Sequence, residues 1–162
     1  MCRKLMPMLG LASVTLIGAW KAMPAPSIEG VWRTAQVTMG GPGGRTITQI
    51  QPNLSIITAK HYSRVEIHAE GTRPNLPDPA TASADELRRA WGPVVAEAGS
   101  YNFAAGTLTT RPEISKNPGA MSQGSFNEYA VKVAGDSLWL AIKRNERGAV
   151  ANPPTIKLVR VE

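Results

Sequence analysis

The sequence contains two histidines, His61 and His68, the side chains best suited to proton transfer or to orienting a ligand. Residues 62–69 alternate between apolar and polar types, which is typical of a β-strand with one buried face. On a regular strand, His61 shares its face with Val65 and Ile67. The sequence therefore predicts that His61 points into the interior as a polar contact for a ligand. The alternatives are a buried histidine with a structural role and a register that turns it outward.

Other catalytic patterns find no support in the sequence. His61 and His68 are seven positions apart, so on one regular strand they face opposite sides and cannot share a metal ion. The single cysteine is Cys2, and no HExxH pattern is present. Ser63 lacks the glycine-flanked turn that exposes a serine nucleophile. The sequence predicts no metal site and no cofactor, and it leaves catalytic residues unassigned.

Four further polar residues are candidates for contact with a ligand. Tyr62 and Tyr101 would line a cavity and turn a hydroxyl towards the ligand, or else serve as ordinary core or rim residues. Arg111 and Lys116 flank a short loop, where they would clamp an anionic head group at a barrel mouth, unless this loop is simply solvated. The predicted ligand-binding set is His61, Tyr62, Val65, Ile67, Tyr101 and Arg111.

Short strand-forming segments, separated by turn residues, must position these side chains. Thirteen prolines and fifteen glycines favour many turns over long helices. The sequence predicts a mainly β fold with one helical insert, in which eight or nine antiparallel strands close into a barrel or fold as a sandwich. The predicted strands cover residues 31–38, 45–51, 54–59, 62–69, 100–104, 107–111, 126–133, 138–143 and 155–161.

The helical insert is predicted from a capping box and an apolar stripe. Ser83 and Glu86 have the spacing at which two side chains satisfy the first backbone N–H groups of a helix. Apolar residues then recur at helical spacing over residues 87–98. The Gly-Pro pair at 92–93 interrupts the stripe, so a kink or two short helices are expected. Trp91 lies on the stripe and is expected to anchor the helix to the sheet.

Residues 1–26 have the pattern of an export leader. Arg3 and Lys4 precede an apolar stretch, residues 5–20, which two prolines separate from the rest of the chain. The sequence predicts a signal peptide or amino-terminal anchor over residues 1–26 and one domain over residues 27–162. The protein is expected to be exported, either periplasmic or secreted, with cleavage of the leader left open. No membrane span is predicted in the mature domain.

The charge of the chain does not indicate a nucleic-acid partner. The formal charge is +6, but three of the basic residues fall within residues 1–26. The remainder has 15 basic against 12 acidic side chains, a formal charge of +3, and its basic residues are scattered. Because nucleic-acid binding needs a dense array of phosphate contacts, the sequence predicts no such partner.

Gly30-Val-Trp32, at the start of the first strand, is similar to the Gly-x-Trp signature of lipocalins and other calycins. A longer series of blocks resembles the bacterial lipocalin-like domain family, whose members are mostly uncharacterised, over roughly residues 28–162. The resemblance implies that Trp32 closes the narrow end of a barrel and that Arg160 packs over it. The blocks are Lys60-His-Tyr-Ser63, Arg73-Pro74, Trp91-Gly-Pro93, Ala98-Gly-Ser-Tyr101, Thr109-Thr-Arg-Pro112, Lys116-Asn-Pro118 and Gly135-Asp-Ser-Leu-Trp139.

The resemblance and the alternating strands together predict a protein that binds a small ligand. An exported lipocalin-like barrel is expected to hold a small, largely apolar molecule, with walls from Val65, Ile67 and the strands around Tyr129 and Leu140. One alternative is an isomerase- or cyclase-type enzyme that uses the same cavity for proton transfer. Another is an envelope interaction module with a filled barrel and an apolar outer patch. The sequence leaves open whether the protein is an enzyme.

Overall fold

The computed structural model describes residues 27–69, 71–76 and 78–162, and the predicted leader lies outside these residues. Within them the chain forms ten strands, one α-helix (α1, Ala84–Trp91) and one 3-10 helix (Pro118–Met121). The strands are β1 Gly30–Thr38, β2 Thr46–Ile47, β3 Asn53–Ile57, β4 His61–Ile67, β5 Val94–Ala104, β6 Thr107–Ser115, β7 Asn127–Ala134, β8 Ser137–Asn145, β9 Gly148–Ala149 and β10 Thr155–Arg160.

Eight of these strands form a closed antiparallel barrel. The order around the barrel is β1, β3, β4, β5, β6, β7, β8 and β10, and β10 pairs with both β8 and β1 to complete the ring. The short strands β2 and β9 lie outside the ring, paired with β1 and β8. A closed ring pairs the backbone of every member strand on both sides, which favours this arrangement for many short strands. The predicted mainly β fold is confirmed, and the architecture is consistent with a calycin-like barrel.

Two tight hairpins account for part of this order. Ala105 and Gly106 connect β5 to β6 with φ angles of 47° and 72°, as a type I′ hairpin turn requires at both central positions. Gly135, with a φ of 53°, stands at the corresponding place between β7 and β8. The two predicted hairpins are therefore present, and each brings its strands together with little loop-closure entropy.

Trp32 is fully buried in the core of the barrel. Its indole Nε1 donates a hydrogen bond to the carbonyl oxygen of Ile28 at 2.9 Å. The guanidinium of Arg160 lies 4.1 Å from the centroid of the Trp32 ring, and the two residues are direct partners in the β1–β10 pairing. The structure thus contains the contact that the resemblance implies. The other buried apolar core residues around Trp32 are Ile28, Ile57, Tyr62, Leu108, Tyr129, Leu138 and Leu158.

A bulge interrupts the pairing of β5 with β6. Ala98 is opposite Ile114 and the next residue, Gly99, is opposite Pro112, so Glu113 is the extra residue. The backbones approach closely here: a Cβ atom on Gly99 would lie 2.0 Å from the carbonyl oxygen of Arg111. The bulge reverses the alternation of β6, so that Ile114 faces outward.

The helix is shorter than predicted. The capping box is present, since Glu86 N donates to Ser83 Oγ at 3.3 Å and Ser83 N donates to Glu86 Oε2 at 2.8 Å. However, α1 ends at Trp91, and the predicted helical continuation to residue 98 is wrong. Proline at position 93 cannot donate a helical hydrogen bond, and the following residues pair in β5 instead. Trp91 is 52% exposed, so its predicted burial against the sheet is also wrong.

The predicted strand over residues 45–51 is reduced to the two residues of β2. Its β-branched residues follow the glycine-rich loop at 40–44, and pairing with β1 extends over only two residue pairs. Among the described residues, no helix has the length and hydropathy needed to cross a bilayer.

Candidate functional site

The inner face of β4 carries polar residues. Tyr62 and Glu66 are buried, and Arg64 between them lines the internal cavity. His61 is exposed and Val65 is 51% exposed, so both face outward. The predicted alternation of β4 is correct, but the assignment of its two faces is wrong. His61, Val65 and Ile67 belong to the outer set, which removes them from the wall of the barrel as the structure describes it.

Polar residues occupy the inner face because they are paired with one another. Arg64 Nε lies 3.1 Å from Glu97 Oε1, and Arg64 Nη1 lies 3.9 Å from Glu66 Oε2. The Tyr62 hydroxyl donates a hydrogen bond to the same Glu97 oxygen at 3.1 Å. The side chains of Glu97 and Glu66 are only 8% and 10% exposed. A buried charge is costly unless it is paired, and this mutual pairing makes a polar interior tolerable. Arg64, Glu66, Glu97 and Tyr62 are called the Arg64 cluster below.

The register between β4 and β5 brings this cluster together. Arg64 is the direct partner of Glu97 in the β4–β5 ladder, so the two side chains leave the sheet on the same face. Glu66 lies two residues further along β4 and therefore on that face too. At the end of this row, His68 Nε2 is 2.9 Å from Glu66 Oε2, while the His68 side chain is 63% exposed. The polar row thus runs from the interior to the solvent.

Burial and charge shift the proton affinities of the groups in and around the cluster. Burial raises the pKa of Tyr62, and the charge of Glu97 and its hydrogen bond raise it further. Burial also raises the pKa of Tyr129 against the opposing charge of Arg64. For Arg64, burial opposes the charged form, but the facing Tyr129, Glu66 and Glu97 outweigh it and raise the pKa. At neutral pH the tyrosines are therefore hydrogen-bond donors and Arg64 is a cation.

The cluster lines an internal cavity of about 50 Å³. That volume holds water molecules or a group of a few atoms, whereas pockets for drug-sized ligands are typically about 300–1,000 Å³. Opposite the cluster the wall is mostly apolar. The residues that line the cavity are Ser55, Ile57, Tyr62, Ser63, Arg64, Glu66, Glu97, Tyr101, Leu108, Thr110, Tyr129, Leu140, Ile156 and Leu158.

Part of the Arg64 side chain is accessible from this cavity. Its side chain is 25% exposed although it lies on the inner face, which means that the exposed part faces the cavity. Its Nε is buried and lies 3.1 Å from Glu97 Oε1, so the exposed surface belongs to other atoms of the side chain. A charged side chain with exposed surface in a cavity wall is a position where a ligand or a water molecule gains a hydrogen bond.

The other predicted site residues are distributed over two locations. Tyr62 and Tyr101 both line the cavity, and the Tyr101 hydroxyl donates to the carbonyl oxygen of Thr58 at 2.6 Å. Arg111 is exposed on the outer face of β6. Lys116, its proposed partner in a head-group clamp, donates instead to the backbone carbonyl oxygens of Trp91, Gly92 and Val94. The structure does not bring Arg111 and Lys116 together as a clamp.

Sequence reasoning missed Arg64, Glu66 and Glu97, whereas Tyr129 and Leu140, predicted as cavity walls, do line the cavity. One signal was present for the first two, because opposite charges at positions 64 and 66 share one face of a strand with Tyr62. That signal was outweighed by the rule that apolar residues face inward. Glu97 lies in the segment predicted as helix, and no pattern links it to Arg64.

In the part of the chain that the structure describes, no three His, Cys, Asp or Glu side chains are grouped to hold a metal ion. No family model matches the chain, and no curated protein is similar to it at a significant level.

Proposed function

We propose that the barrel binds a small, largely apolar molecule whose polar end contacts the Arg64 cluster, as an exported lipocalin-like protein would. The observation that carries the proposal is the inward-facing Arg64, whose partly exposed side chain lines a mostly apolar cavity. The closed barrel is compatible with ligand binding. The leader pattern at residues 1–26 supports the proposed export.

The energetics of buried ion pairs support a functional role for the cluster. An apolar replacement of a buried ion pair is often as stable as the pair itself, because the desolvation penalty offsets the attraction. Fold stability alone therefore gives little reason to keep Arg64, Glu66 and Glu97 inside the barrel. Perturbed ionisable groups in a cavity are, by contrast, a common feature of binding and catalytic sites.

The charge of the cluster restricts the polar end of the ligand. With both carboxylates ionised, Arg64, Glu66 and Glu97 together have a formal charge of −1. A carboxylate ligand would add a negative charge to a poorly hydrated site and is disfavoured there. We infer that the ligand presents a hydroxyl, a carbonyl or an amine. Because the cavity is about 50 Å³, a larger ligand must displace half-buried wall residues such as Leu140 and Ile156.

One feature of the cluster also fits the catalytic alternative. Tyr62 and Glu97 form a hydrogen-bonded polar pair inside the barrel, as proton transfer to a bound substrate would need. However, the raised pKa of Tyr62 keeps its phenol protonated at neutral pH. Tyr62 is therefore suited to donating a hydrogen bond and poorly suited to acting as a general base, so in the catalytic alternative the base would be Glu97.

The test compares two fluorescent probes, 1-aminoanthracene with a neutral amine and cis-parinaric acid with a carboxylate. The wild type should bind 1-aminoanthracene more tightly. The double variant Arg64→Met/Glu97→Gln removes both charges together, and we expect it to bind the amine about tenfold more weakly, since a hydrogen bond to a charged group contributes roughly 1.5–3 kcal/mol.

Arg111→Met is the matched control, because it removes an arginine from the outer face. Leu140→Trp fills the cavity wall, and Val65→Trp makes the same change outside the barrel, so only the first should weaken binding. Native mass spectrometry of protein purified from its own host would show a retained ligand. The proposal fails if neither probe binds and no added mass is retained.

A further inference from the structure

The outer face of the barrel has a group of neighbouring exposed apolar residues on strands β3 to β6, here called the apolar face. The exposed fraction is 37% for Leu54, 42% for Ile56, 51% for Val65 and 71% for Ile114. Ala96 and Ala98 complete the region on β5. Single exposed apolar residues are normal on a protein surface, but a contiguous group indicates an interaction site.

Strand pairing shows that these residues are contiguous. Leu54 is the direct partner of Val65, and Val65 is the direct partner of Ala96. The neighbouring row runs from Ile56 through Ser63 and Ala98 to Ile114. Both rows cross adjacent strands without a charged residue between their ends. Serine at position 63 is the one polar member of the two rows.

Cationic residues border the apolar face. Arg33 is exposed on β1 beside Leu54, one register step beyond the Trp32–Ser55 pair. Lys60 is exposed in the turn between β3 and β4, and Arg111 is exposed on β6 opposite Ser100. Glu113, the exposed bulge residue, is the carboxylate next to Ile114. Around the border these three cations therefore outnumber two carboxylates, Glu113 and the exposed Glu29, which lies two residues before Val31, the β1 partner of Ile56.

An exposed tryptophan lies at another edge of this region. Trp91, at the end of α1, is 52% exposed. Lys116 connects the end of α1 to the apolar face, because its ammonium donates to the Gly92 carbonyl oxygen while its backbone N donates to that of Ala96. Tryptophan is enriched where proteins meet the interface between membrane and water.

We propose that the apolar face binds peripherally to the surface of an anionic lipid bilayer. Leucine, isoleucine and valine side chains would enter the boundary between head groups and acyl chains, while Arg33, Lys60 and Arg111 meet lipid phosphates. The border charges favour this partner over a second copy of the chain. A two-fold dimer would bring the same surface, with its excess of cations, against itself, whereas anionic lipids neutralise it.

Sedimentation of the full chain with lipid vesicles tests the proposal. Binding should be strong to phosphatidylcholine vesicles containing about one third phosphatidylglycerol and weak to phosphatidylcholine alone, and salt should reduce it. The double variant Val65→Ser/Ile114→Ser should bind about tenfold more weakly, from the loss of apolar burial. Arg33→Gln and Arg111→Gln should each weaken binding about fivefold.

The matched control is Met39→Ser/Met121→Ser, which changes two apolar residues of similar exposure, 42% and 43%, that are not members of the apolar face as defined above. All variants retain residues 1–26, so any contribution of the leader is constant. Equal binding by the wild type and both Val65→Ser/Ile114→Ser and Arg111→Gln would overturn the proposal. A wild-type dimer in light scattering that becomes monomeric in Val65→Ser/Ile114→Ser would replace it by self-association.

Discussion

Two arginines of the barrel show how differently the same side chain can be used. Arg160 lies over the Trp32 ring and donates to the carbonyl oxygen of Glu29. Arg64 lies inside the barrel between two carboxylates. Their side chains are 27% and 25% exposed, so exposure does not distinguish them. Their contacts distinguish them, because Arg160 covers an aromatic ring and Arg64 faces a cavity.

The two environments have different energetic consequences. A guanidinium over an indole adds roughly 0.5–2 kcal/mol to stability and requires little desolvation of the charge. The ion pairs of Arg64 offset a desolvation penalty and bring little net stability over apolar residues. The region around Trp32 is therefore built for stability, whereas the Arg64 cluster keeps polar groups available inside the barrel.

The largest expected effect of a single substitution is at Trp32. Trp32→Ala removes a fully buried aromatic side chain and should lower the free energy of unfolding by about 3–5 kcal/mol. Arg160→Met should lower it by about 1 kcal/mol, because the contact over the ring and the exposed hydrogen bond to the Glu29 carbonyl oxygen are lost while Trp32 stays buried. Denaturant unfolding followed by circular dichroism measures both. Trp139→Ala, which removes an outer tryptophan near Lys132 and Lys157, should cost less than half as much as Trp32→Ala. Equal losses would contradict the assignment of Trp32 to the core.

Arg64→Met should have the next largest effect. It leaves Glu66 and Glu97 buried without their cation, and we expect a loss of about 2–3 kcal/mol after allowing for the part of Arg64 that faces the cavity. The double variant Arg64→Met/Glu97→Gln should recover much of this stability, because it removes an unpaired charge. Denaturant unfolding of the single and double variants checks the recovery. A double variant less stable than Arg64→Met would show that the cluster is stabilising, and the contrast with Arg160 would disappear.

A tyrosine titration tests whether the phenols beside Arg64 are buried. Near neutral pH we expect no change in absorbance or stability. The chain has three tyrosines, and the pKa of each is raised in the folded state, chiefly by burial. A raised phenol pKa means that the folded protein favours the protonated form. Its contribution to stability is complete below the unfolded pKa of about 10 and is lost as the pH rises through the folded pKa.

Phenolate absorbance should therefore rise at higher pH in the native protein than in denaturant, and stability should fall above about pH 10. Tyr62→Phe should remove the part of this fall that depends on contact with Glu97. Native absorbance that follows the denatured curve would contradict the burial of Tyr62 and Tyr129.

The sequence predicted the barrel well because short strands and turns are local features. Ala105-Gly106 and Gly135 identify hairpins without knowledge of the rest of the chain. The contact of Trp32 with Arg160 followed from a resemblance, since no local pattern links residues so far apart. The helix was overextended because Val94, Val95 and Ala98 satisfy a helical period although they belong to β5.

The candidate site was predicted less well for a physical reason. Alternation divides β4 into two faces but does not state which one is inside. The assignment of Val65 to the inside rested on burial of apolar residues, and paired charges on Arg64 and Glu97 reversed it. That pairing depends on the register between β4 and β5, which is set by the whole ring and not by either segment alone.

The bulge at Glu113 determines which residues of β6 face the interior of the barrel. One surplus residue shifts the phase of β6, so that Leu108 and Thr110 face the cavity while Ile114 faces outward. Gly99 permits this shift, because any larger residue would collide with the backbone at Arg111. Even-numbered residues face inward before the bulge and odd-numbered residues after it, so the two halves of β6 follow opposite patterns of alternation. A single glycine on the neighbouring strand marks the boundary between them.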